Sequence, residues 1–146
     1  MKKYISVLVL IGFFVCDSTK KLNASKPENT IEVIKFMYIN EYPIAMYEQP
    51  FWEYTEEHAK MRIPSKNPDN FTKRIKSLTK NDGSTFTFLN YAFIVKSGGK
   101  SDTIYSDIDL ATWKIVKNGK SEYYYDKDST YVQDLRRRYR FFKSCW

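Results

Sequence analysis

The chain has 146 residues, with 24 Lys and Arg against 17 Asp and Glu for a net charge of +7; 42% of it is hydrophobic and 28% charged. That length fits one domain, and the balance of apolar to charged residues excludes a wholly disordered chain, a collagen and a polytopic membrane protein. Two cysteines are too few for a disulfide-dense scaffold, which leaves a small basic domain with an unusual 17% of aromatic residues.

The first element in chain order is an address. Met1-Lys2-Lys3 is positively charged, and Ile5 to Val15 is an almost unbroken apolar run of eleven residues that ends at Cys16. These are the two leading regions of a secretory signal. A membrane span needs roughly 20 apolar residues, and here Asp17, Ser18, Lys20 and Lys21 close the run too early. An apolar run ending in cysteine resembles the lipoprotein signal sequences of bacteria. The resemblance implies that Cys16 is acylated and becomes the mature N-terminus, anchoring the protein to a membrane of the cell envelope. Ordinary cleavage after Ser18, with Cys16 and Ser18 as the small residues, is the competing route. Both routes export the protein. Residues 1–18 are read as the signal, 19–29 as a polar tether and 30–146 as a single domain. From Thr19 onward 22 basic and 16 acidic residues remain, so the basic balance belongs to the domain.

Thr30 to Ile39 is β-branched, aromatic and apolar and reads as a strand. Pro43 and Pro50 interrupt the chain, Phe51 to Lys60 has room for one or two helical turns, and Met61 to Ile63 reads as a short strand before Pro64. Asn67-Pro68-Asp69 starts a helix, with Asn as cap, Pro in the first turn and an acid where the helix dipole favours it. Phe71, Ile75 and Leu78 form its apolar stripe, Lys73, Lys76 and Lys80 fall on the other side, and Asn81-Asp82-Gly83 is expected to stop it. Thr85 to Lys96 and Ser101 to Ser106 flank Gly98-Gly99, and Trp113 to Lys117 and Lys120 to Tyr125 flank Asn118-Gly119. Both are hairpin signals, and Asn-Gly is the preferred pair for a type I′ turn. Four strands joined by short turns make an antiparallel meander.

The last element is a helix opened by a capping box of Thr130 and Gln133, with Asp126 and Asp128 complementing its N-terminus. Val132, Leu135, Tyr139 and Phe142 make its inward face, while Arg136, Arg137, Arg140 and Lys143 point away from it. The fold class expected is α+β, a mostly antiparallel sheet built from an N-terminal strand and a two-hairpin meander, with helices packed on one face.

The residues offer little chemistry. The one histidine, His58, stands beside Glu56 and Glu57 without a second His or a Cys at metal-ligand spacing. Cys145 lies one residue from the end, and no nucleophile elbow, Walker loop or dinucleotide fingerprint occurs. Asp107 and Asp109 fall in a strand connection, and Asp126 and Asp128 at a helix cap. No catalytic residue, metal site or cofactor is assigned. Function is therefore sought on the surface. Tyr, Trp and Arg dominate binding hot spots, and Tyr124 must face away from Tyr123 and Tyr125 because strand side chains alternate. Either one sheet face is aromatic outside the core, with Tyr124 on a binding surface, or helices cover both faces, or the rings simply form cross-strand pairs that stabilise the sheet. Two functions follow: a non-enzymatic envelope module that binds a protein partner, as an inhibitor or immunity-like protein does, or a binder of anionic surface or polymer through Arg136, Arg137, Arg140 and Lys143. Export argues against nucleic acid.

Overall fold

The computed structural model describes residues 29–37, 46–84, 86 and 88–143. The signal with Cys16, all but the last residue of the tether, the end of the first expected strand, Pro43 and Cys145 lie outside these. Seven strands form one antiparallel sheet: β1 Thr30–Phe36, β2 His58–Pro64, β3 Thr79–Asn81, β4 Leu89–Ser97, β5 Lys100–Asp107, β6 Thr112–Lys117 and β7 Lys120–Tyr125. Their order across the sheet is β2-β1-β4-β5-β6-β7-β3. Among the described residues three α-helices accompany it, α1 Glu48–Glu53, α2 Asp69–Lys76 and α3 Thr130–Arg138, with single 3-10 turns at Thr55–Glu57 and Arg140–Phe142. The fold is α+β, as the sequence pattern requires. Among the described residues no helix is long and apolar enough to cross a membrane.

The meander forms because its turns accept positive φ. Asn118 and Gly119 have φ of 52° and 72°, and Gly98 and Gly99 have 55° and 81°, the paired left-handed angles of type I′ turns. Register then sorts the side chains. Val33, Phe93, Ile104 and Ile115 are cross-strand partners in one row over β1, β4, β5 and β6, and all four are buried. Ile75 of α2, Val132 and Leu135 of α3 and Phe142 close over this face. At its centre the Phe93 ring lies 5.2 Å from Trp113, 5.0 Å from Phe71 and 5.9 Å from Phe142. Much of the aromatic excess is spent here.

Four local expectations are corrected. Pro50 lies inside α1 rather than interrupting the chain; it occupies the first turn, where no backbone donor is needed. α2 ends at Lys76, and the stretch that follows is strand β3, paired with β7. Asn81-Asp82-Gly83 is then the turn after that strand. Gly83 has φ +83° and a Cβ there would stand 2.6 Å from the Tyr123 ring, so glycine is required twice over. The capping box at Thr130 is absent: Ser129 is the cap residue and makes no side-chain cap bond. The buried Asp126 carboxylate instead accepts from the amides of Tyr131 and Val132 at 2.9 and 3.0 Å. Finally, the C-terminal helix is broken at Tyr139 (φ −130°, ψ 118°), so Arg140 and Lys143 follow α3 rather than extend it.

The opposite sheet face carries a smaller core of Ile34, Phe36, Leu89, Ala92 and Tyr105, over which α1 lays Phe51. The two longer helices share one face, and α1 supplies cover to the other. Trp52 Nε1 donates to the Tyr105 hydroxyl at 3.1 Å, and Glu48 of α1 pairs with Lys114.

Candidate binding groove

Five binding or anchoring positions followed from the sequence within the domain's reach, besides Cys16. Tyr124 does face away from Tyr123 and Tyr125, but toward the helix-covered core: it is 6% exposed and pairs across the sheet with the fully buried Trp113. Its assignment to a binding surface is corrected. The rings on the other face are Tyr123, packed 5.9 Å from Phe86, and the exposed Tyr125. Arg136 is half-buried, with one guanidinium nitrogen 3.4 Å from the Asp109 carbonyl and a buried Nε that has no hydrogen-bond partner among the described residues. It braces the β5–β6 connection. Arg140 and Lys143 are exposed and converge on nothing described.

Arg137 belongs to a cluster. Asp134 of α3, 7% exposed, accepts from Arg137 and Arg138 on one oxygen at 3.0 Å each and from Arg74 of α2 on the other at 3.0 Å. Residues three and four apart on a helix meet on one side, which is why Arg137 and Arg138 reach it. Arg74 also lies over the Tyr131 ring, its guanidinium carbon 4.3 Å from the centroid. The Arg137 guanidinium, with Arg74 and Arg138, holds the Asp134 carboxyl below its ordinary range. Burial pushes the Tyr131 phenol up, so both stay in single protonation states near neutrality. Three cations surround one anion, and each guanidinium carries five N–H donors.

Beside this cluster a groove of about 380 Å³ runs between α2 and α3 and the start of β1 and end of β2. Its floor is apolar, from Ile31, Ile63, Phe71 and Leu135, and its rim is polar and on balance cationic, from Lys66, Asn67, Asn70, Arg74 and Arg138, with Asp134 between the two arginines. The volume lies within the range of ligand clefts. The sequence stripe of Arg137 and its neighbours pointed to α3, but Lys66 and Arg74 were missed. The Asp134-to-Arg137 and Asp134-to-Arg138 spacing was the available signal; the 60-residue separation of Arg74 from Asp134 left none.

His58 sits elsewhere, with its ring 4.6 Å from Phe51 and 6.1 Å from both Phe36 and Trp52. Burial lowers its pKa. Asp107 accepts from the amides of Ala111 and Thr112 and shapes the β5–β6 turn. Among the described residues no group of three His, Cys, Asp or Glu could hold a metal ion. No protein-family model, curated protein or solved structure matches the chain.

Proposed function

We propose that the protein is a non-catalytic binding module that takes an acidic, apolar-faced segment of a partner protein into the groove between α2 and α3. One observation carries this reading: the groove joins an apolar floor of Ile31, Ile63, Phe71 and Leu135 to a rim of Lys66, Arg74 and Arg138. A lipid headgroup or acidic glycan would use the rim and waste the floor, whereas a peptide with carboxylates beside an aromatic or aliphatic anchor uses both. Charge on the rim steers association, and the floor supplies contacts that salt does not screen. The module is further proposed to work outside the cytoplasm, held to a membrane by an acylated Cys16; mass spectrometry of the mature N-terminus tests that part alone.

The binding test is fluorescence anisotropy with a labelled peptide of alternating glutamate and aromatic residues. Binding should saturate, weaken between about 0.1 and 1 M salt without vanishing, and fall several-fold in Lys66→Glu and in Ile63→Ser. Capture of anionic vesicles with no saturable peptide binding would overturn the reading in favour of a charged surface.

A further inference from the structure

The domain carries, on its own opposite side, a segment of the chemistry that the groove accepts. Tyr47 to Glu57 holds four glutamates and no lysine or arginine in a chain of net charge +7. Glu48 is engaged with Lys114; Glu53, Glu56 and Glu57 make no ion pair with another described residue. Three rings of the same segment reach solvent, Tyr47 at 61% exposure, Tyr54 at 42% and Trp52 at 36%. Large exposed aromatics set beside carboxylates are the complement of an apolar floor with a cationic rim.

Resting on the groove reading above, we infer that the acidic partner is a second copy of this chain, which docks its Tyr47 to Glu57 segment into the groove of its neighbour. The Tyr47 to Glu57 segment cannot enter the groove of its own copy. α1 packs against Phe36 on one face of the sheet, at the end of β1, whereas the groove opens on the other face beside Ile31, at its start. Donor and acceptor are therefore diagonally opposed on each molecule. That placement also rules out a reciprocal twofold dimer, since one pairing of two copies satisfies one donor and one acceptor and leaves the others outward. The contact is heterologous and propagates into a ring or an open chain.

The test uses two variants of the full chain in sedimentation velocity. The groove variant is Lys66→Glu with Arg138→Glu, which keeps the Arg74 pairing with Asp134; the donor variant is Glu53→Lys with Glu56→Lys. The unsubstituted protein should sediment faster as its concentration rises at low salt and shift toward monomer, without losing all association, at about 1 M salt. Each variant alone should be monomeric at every concentration, with a single cooperative thermal transition to show that it folds. Mixed, the two should form a 1:1 pair and nothing larger, because the mixture offers one live donor and one live groove. Association through the apolar N-terminal run would persist in both variants and would overturn the inference, as would an unsubstituted protein that stays monomeric at low salt or a mixture that does not pair. If the mixture fails while the glutamate-aromatic peptide still binds the groove, self-association falls and the groove reading stands; if neither binds, both fall.

Discussion

At Tyr124, a binding residue on the sequence reading, and at His58 alike, burial decides what the side chain does. Tyr124 is covered by the helices that Trp113 and Ile115 also meet, and its hydroxyl reaches Glu122 at 3.2 Å. Tyr124→Ala is expected to cost about 3 kcal/mol of stability through the cavity it leaves, measured by urea unfolding, with peptide binding unchanged in the folded fraction. His58 is wedged among Phe36, Phe51 and Trp52, and desolvation lowers its pKa from the ordinary value of 6.5. The folded state then takes up its proton later than the unfolded chain does. Its contribution is complete above pH 6.5 and is lost as the pH falls below that value through the folded pKa. Thermal midpoints measured across this window should decline in the unsubstituted protein, and His58→Phe should flatten that part of the decline.

At the scale of elements, the hairpins and the stripe of α2 could be read from the sequence because their causes are local. A positive φ at Asn118-Gly119 and an apolar spacing of four at Phe71 and Ile75 need no knowledge of the rest of the chain, whereas Leu78, the third member of the stripe in the sequence, lies past the end of α2 at Lys76. β3 escaped notice because Thr79–Asn81 has only three residues and becomes a strand by pairing with β7. The cap of α3 escaped because two oxygens competed for one role, and the fold placed Asp126 within reach of the Tyr131 and Val132 amides while leaving Thr130 exposed. Asp126→Ala should therefore cost about 2 kcal/mol and Thr130→Ala far less, a contrast that equilibrium unfolding of the two variants measures. A capping box at Thr130 would reverse the order. Because α3 carries Asp134, Leu135 and Arg138, fraying its first turn should also weaken peptide binding.

Across the whole molecule, the sheet separates two surfaces of opposite character, a basic groove under α2 and α3 and an acidic aromatic edge at α1. Only half of this was legible. The charge of the last helix was plain, but the groove depends on Arg74 and Asp134, brought together across 60 residues, and no local pattern announces such a meeting. The aromatic excess was legible as an excess and not as a place, because alternation assigns Tyr124 and its neighbours to opposite faces without saying which face the helices take. The groove is the centre of the account, and a nitrogen-15 correlation spectrum recorded while the glutamate-aromatic peptide is titrated tests it most directly. The account predicts saturable shifts at Lys66, Asn67, Asn70, Arg74 and Arg138, with the amides of β6 and β7 unmoved. Shifts centred on Tyr123 and Tyr125, or none that saturate, would contradict it.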